Sequence, residues 1–130
     1  MDRQSVDARS KSKDQLRERS KAFEPRVIRI VNKLPENRAA DVIGKQLLRS
    51  GTSVGANYRA ACRTRSPAEF CAKMGIVEEE ADESGYWMEL LAESELLKPH
   101  LLKNLMQESG EIVAMTVASI KTTRTRGKRP

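Results

Sequence analysis

Histidine, aromatic rings and long apolar runs are scarce in this chain. His100 is the single histidine of 130 residues, and Cys62 and Cys71 are the only cysteines. Neither cysteine has a further Cys or His at a zinc-finger spacing, which argues against a structural or catalytic zinc. One histidine beside Pro99, with no paired nucleophile, reads as a solvated side chain rather than a catalytic base. The Gly44-Lys45-Gln46 triplet lacks both the glycine-rich loop and the Ser/Thr of a phosphate-binding motif. Aromatics make up 4% of the residues, too few for a sheet-rich core or for a surface that stacks bases. The absence of any apolar run of membrane-spanning length excludes a transmembrane helix. The opening residues MDRQSVDARSKSKDQ contain no apolar segment of the export type, so the expected location is the cytoplasm. In that setting the two cysteines are expected to be reduced and buried.

What the chain does have is Ala, Leu, Glu, Lys and Arg in helical spacing, enough for one domain with a real core. The clearest stretch is Ser66–Leu97. Ser66 can cap, Pro67 suits a first helical position, and Glu69 completes a capping box. Phe70, Met74, Val77, Ala81, Ser84, Met88 and Leu91 then recur at steps of four and three, opposite Glu78, Asp82, Glu89 and Glu93. A rod of that length needs partner helices. Residues 1–13 are polar and read as disordered. A first helix starts at Asp14 with Leu16, Phe23, Val27, Ile30 and Leu34 on one face, and Pro25 inside it predicts a kink or a second start. Leu34-Pro35 ends it. A second helix runs from about Arg38 to Arg65 on Val42, Ile43, Leu47, Ser50, Val54, Tyr58 and Ala61. Its segment Ser50–Asn57 has loop-like composition. Gly44, Gly51 and Gly55 fall on one face, each at a cost of about 1 kcal/mol relative to Ala, which a close helix–helix contact would explain. A loop between two short helices is the alternative. A fourth helix, from about His100 to Thr123, carries Leu101, Leu105, Ile112, Met115 and Ser119, widened by Leu102, Met106, Val113, Val117 and Ile120. The tail from 124 to 130 reads as disordered. The expected architecture is all-α: an antiparallel up-down-up-down four-helix bundle over residues 14–123, likened below to proteins that assemble into a ring.

Polar residues at core positions, Ser50, Ser53 and Asn57 on the second helix and Glu80, Glu83 and Ser84 on the third, are expected to hydrogen-bond across the two helices and fix their register. The acidic cluster around Glu79 to Glu83 lacks the Glu-x-x-His motif of a carboxylate-bridged metal bundle, so no metal and no cofactor are expected.

The net charge of +6 hides a segregation. Residues 36–66 carry six Lys/Arg against two acids, residues 67–97 one Lys against nine acids, and the last ten residues five bases and no acid. Such an arrangement predicts charge complementarity within or between subunits, with basic segments left for an anionic partner.

The run from Val42 through Ser50-Gly-Thr-Ser-Val-Gly-Ala-Asn57 to Arg59, with Ala61-Cys62-Arg63, Phe70, Lys73, Gly75–Ser84, Tyr86-Trp87 and Ser119–Thr122, resembles a family of small bacterial four-helix proteins. These were first noticed as products of intervening sequences in large-subunit ribosomal RNA genes. The resemblance covers about residues 14–124, departing at Pro25 and Gly85. It implies a four-helix protomer, a ring-like homopentamer and no enzymatic activity. A related branch is the accessory protein of diversity-generating retroelements, which works with a reverse transcriptase and binds nucleic acid. The reading is thus a non-enzymatic oligomer that binds RNA or DNA with little sequence specificity. Its expected contacts are Arg59, Arg63 and Arg65 at the end of the second helix, and Lys121, Arg124, Arg126, Lys128 and Arg129 after the fourth. The alternative is an adaptor that docks an acidic protein, such as a reverse transcriptase or a ribosome-associated protein.

Overall fold

The computed structural model describes residues 3–127. They form four helices: α1 (Arg3–Asn32), α2 (Arg38–Ala61), α3 (Pro67–Glu93) and α4 (Pro99–Gly127). The start of α3 follows from its sequence. Ser66 is extended, as a residue before proline must be, and its side chain accepts from the Glu69 N–H at 3.1 Å. The Glu69 carboxylate reaches back to the Arg65 N–H at 3.1 Å. The end of α3 comes earlier than the apolar pattern suggests. Glu95 takes a left-handed conformation with φ 58°. The Leu96 N–H then bonds the Leu91 carbonyl and the Glu95 N–H the Ala92 carbonyl, the paired bonds of a Schellman turn. The helix therefore stops at Glu93, and Leu97 folds back into the core.

Helix α2 runs unbroken through Ser50–Asn57, so the loop alternative does not occur. Asn37 caps it, its Oδ1 accepting from the Ala40 N–H at 2.8 Å. It ends at Ala61, before Arg63 and Arg65, where the carbonyls of Ala60 and Ala61 take tighter i→i+3 bonds from Arg63 and Thr64. Helix α1 is likewise one element, with Pro25 inside it and no second start. It begins at Arg3, so helical backbone covers most of the segment read as disordered; no Gly or Pro interrupts residues 3–24, and Gln, Ala, Arg and Lys all sustain a helix. In the same way α4 continues through Gly127, past Arg124. Met1, Asp2 and the last three residues, Lys128, Arg129 and Pro130, lie outside the described residues.

Neighbours in sequence are neighbours in space. Helix α2 packs on α1 and α3, and α4 packs on α3 and more sparsely on α1, while among the described residues the backbones of the two diagonal pairs stay apart. The contacts run antiparallel: Gly44 lies by Val31 and Leu34, Gly51 by Val27 and Gly55 by Ser20 and Glu24, while Cys71 at the start of α3 reaches Ile120 near the end of α4. The core joins Phe23, Val27, Leu47, Val54, Met74, Val77, Met88, Leu91, Leu102 and Ile112, all fully buried. Two apolar readings shift. Val42 is 57% exposed, because Ala40, Gly44 and Leu47 already fill its helix's inward face. On α4 the buried line is Leu102, Leu105, Ser109, Ile112, Thr116 and Ile120. Leu101 and Val117 flank it in the open, and Met115 and Ser119 lie half-buried at its edge. Thr116 and Ser109 can be inward because each bonds its own helix's carbonyls, at 2.7 Å to Ile112 and 2.8 Å to Met106.

Candidate nucleic-acid interface

Antiparallel connection makes α2 and α4 run in the same direction, so their C-terminal ends finish at one end of the bundle. Arg59 closes α2, Arg63 and Arg65 sit in the turn to α3, and Lys121, Arg124 and Arg126 occupy the last turns of α4; all six are exposed. None of them forms an ion pair among the described residues. Lys128 and Arg129 lie outside the described residues. Helix α1 also passes this end, since the Tyr58 hydroxyl donates to the Lys13 carbonyl at 3.1 Å. The cations gain from the two helix C-termini, where unpaired carbonyls concentrate partial negative charge.

The polar residues expected to form one buried network divide into two groups. Ser50 and Ser84 meet inside the core: Ser84 donates to Ser50 Oγ at 3.0 Å, and Ser50 donates to the Leu47 carbonyl at 3.3 Å. This is a true α2–α3 link, fully buried. Ser53 and Asn57 instead bond back within α2, to the carbonyls of Arg49 and Ser53. Glu80 and Glu83 turn outward to Arg49, and Glu83 also accepts from the Trp87 indole at 3.0 Å. The reason is charge. Two carboxylates cannot be buried beside two serines without a cation, and Arg49 reaches them only at the surface. Arg49 escaped the sequence reading, although an arginine on α2 facing an acidic α3 was the signal.

A second arginine was also missed. Arg19 on α1 grips Glu108 of α4 with two hydrogen bonds, Nε to Oε2 at 2.9 Å and Nη2 to Oε1 at 2.6 Å, and adds Glu111 and the Met115 sulfur. The hydrogen bond from Arg19 holds the Glu108 carboxyl below the usual carboxylate range, against the opposing effect of burial. Glu24 moves the other way. Burial against α2 pushes its carboxyl up, and the nearby charge of Lys21 offsets only part of that.

Nothing among the described residues groups three or more His, Cys, Asp and Glu as metal ligands. His100 is exposed. Cys71 is half-buried and Cys62 exposed rather than buried, both as free thiols. Cys62 follows the last buried residue of α2, where the chain turns outward. A groove of about 570 Å³ opens at the opposite end of the bundle, between Leu34, Pro35, Arg38, Gly44 and Leu48, away from the Ser50–Ser84 pair. No helix among the described residues is long and apolar enough to cross a membrane.

Two comparisons place the chain. Residues 12–118 match the family described as 23S rRNA-intervening sequence protein. A crystal structure from Bacteroides thetaiotaomicron, described as a protein of unknown function from the S23 ribosomal protein family, superposes with a TM-score of 0.79 at 34% identity, covering 85% of this chain and 98% of that one. No curated protein matches. A match over most of its length, together with the same four-helix fold in a relative that shares a third of its residues, makes this chain a member of the 23S rRNA-intervening sequence protein family.

Proposed function

We propose that this protein is a non-enzymatic nucleic-acid-binding bundle whose basic end contacts phosphates with little regard to sequence. The observation that carries this reading is the set of six exposed cations, with no ion pair among the described residues, delivered to one end by two parallel helices, in a fold that neutralises Arg19 and Arg49 elsewhere. The family's link to ribosomal RNA makes RNA the first ligand to test. Each phosphate contact contributes about 0.9 to the log–log salt slope on a duplex. No exposed aromatic accompanies these residues, and base stacking therefore adds little.

The same reading includes self-association in a closed ring, with five copies as the family resemblance implies. Ile28, Val42, Leu48, Leu101 and Val117 expose apolar side chains on three helices, surface that neighbouring copies would cover. Light scattering tests it: a mass near 14.6 kDa at micromolar concentration removes self-association, and a dimer removes the ring of five.

The binding test is a salt series with Arg124, Arg126, Lys128 and Arg129 all changed to Ser. The variant should lose about 3–4 from the slope if every lost cation met a phosphate, while its mass and melting temperature stay unchanged. Equal affinity of variant and wild type for RNA and DNA across the series would move the site elsewhere. Wild type that binds neither at low salt would favour an adaptor for an acidic protein.

A further inference from the structure

We infer that the seam between α1 and α2 is a phosphate track that carries the basic end along the side of the bundle, and that its ligand is a nucleic-acid duplex. This deepens the nucleic-acid reading and rests on it. Lys13, Arg17 and Lys21 follow one another at steps of four along α1, each about 6 Å further along the axis, and all three are exposed. Like charges at that spacing repel and weaken an isolated helix. None of the three forms an ion pair among the described residues. Arg59 in the last turn of α2 and Arg63 in the turn beyond it, both exposed, lie at the end of the seam where Tyr58 bonds the Lys13 carbonyl.

What brings these cations together is Gly55. A Cβ at that position would stand 3.1 Å from the Ser20 carbonyl and against the Glu24 carboxylate, so α2 approaches the backbone of α1 directly. Among the described side chains the acids nearby are few. Glu24 lies in the seam and feels Lys21. Glu18 is exposed on the next row of α1 without an ion pair, and the Asp41–Lys45 pair, 3.2 Å apart, ends the basic stretch toward the other end. Two other arginines are met by carboxylates, Arg19 by Glu108 and Glu111 and Arg49 by Glu80 and Glu83. Along this seam the fold leaves the positive charge open. The rings closest to the seam, Phe23 and Tyr58, are buried. A surface that offers a row of cations and no ring suits a strand pair presented from its phosphate side, not a single strand with splayed bases.

The test compares Lys13→Gln, Arg17→Gln and Lys21→Gln in one chain with wild type and with the four-residue tail variant, using a short blunt-ended RNA duplex and a single strand of equal length. Glutamine keeps helix propensity and relieves the repulsion along the row, so the variant should melt no lower than wild type. The triple variant should lose about 2–3 from the duplex salt slope and additively deepen the loss in the tail variant. Bound duplex should also protect Lys13 and Lys21 from acetylation in wild type. A triple variant with the wild-type slope, and lysines acetylated equally with and without duplex, would overturn the track while leaving the basic end intact. Tighter binding of the single strand would overturn the duplex assignment. Wild type that binds neither probe would remove both the track and the reading beneath it.

Discussion

Helix α1 is held on its two flanks by opposite means. Against α2 there is almost nothing between the backbones: Gly44, Gly51 and Gly55 let Val27, Val31, Leu34 and Glu24 settle onto bare α-carbons. Against α4 the contact is sparser and polar, made by the long side chain of Arg19 reaching Glu108 and Glu111. Three glycines cost roughly 1 kcal/mol each in helix propensity, a cost offset by dispersion contacts that larger residues would prevent. The ion pairs on the other flank hold geometry at a distance and are screened by salt. One flank is steric and the other electrostatic, so they should fail under different insults.

The largest effect should come from the steric flank. A Cβ at Gly51 would lie 2.8 Å from both γ-carbons of Val27 and 3.1 Å from its Cβ, and a β-branched side chain inside a helix has one rotamer to offer. Gly51→Ala should therefore destabilise by about 1–3 kcal/mol, despite gaining helix propensity, and Val27→Ala in the same chain should recover part of the loss. Thermal melts of the two single variants and the double variant check this. Strictly additive losses would mean that the two residues do not touch. Gly55→Ala should be milder, since the closest atom it meets is the mobile end of Glu24. By the same reasoning Gly55→Leu should cost more than the alanine.

Next comes the electrostatic flank. Arg19→Ala removes a bidentate, partly exposed pair and should cost about 1–2 kcal/mol. The penalty should shrink in high salt, whereas that of Gly51→Ala should not. Denaturation at two salt concentrations separates them, and equal salt dependence would erase the distinction between the flanks.

A smaller change lies outside both flanks and serves as their reference. Glu95 holds a left-handed conformation that glycine adopts without a Cβ penalty. Glu95→Gly should raise stability by about 0.5–1 kcal/mol, irrespective of salt. A drop in melting temperature would show that the Glu95 side chain has a role beyond the turn.

The smallest effect is a pH asymmetry between the flanks. Glu108 titrates below its ordinary value because Arg19 donates to it, so its contribution is present above the ordinary carboxylate range and is lost as pH falls through the lowered value. Glu24 titrates above its ordinary value because it is buried against α2, so the folded state loses stability as pH rises from the ordinary carboxylate range through the raised value. Glu108→Gln should accordingly flatten the acid limb of a stability–pH curve. Glu24→Gln should raise stability at neutral pH and leave it nearly unchanged in acid. Identical curves for the two variants would contradict the opposite environments of the two acids.

Much of this was written locally. The periods of Met74, Val77, Ala81, Ser84, Met88 and Leu91, the capping residues Asn37 and Ser66, and the spacing of Gly44, Gly51 and Gly55 specify helices and their inward faces, because side-chain direction repeats with the backbone of a helix. Short connections between such helices then leave few arrangements besides an antiparallel bundle. The ends of elements were less legible. The left-handed turn at Glu95 and the i→i+3 bonds after Ala61 depend on which carbonyls the surrounding fold leaves unpaired. The fate of the polar residues was a tertiary decision altogether. Ser50 could pair with Ser84 only once α2 and α3 stood side by side, and Glu80 and Glu83 could turn to Arg49 only because that packing left a surface route for the guanidinium. The partners Arg19, Glu108 and Glu111 lie some ninety residues apart, and no local period encodes a distance that long. Sequence period set which face of each helix is inward, because burial rewards it residue by residue. The pairing of charges across faces was left to the fold, because it depends on where two distant surfaces meet.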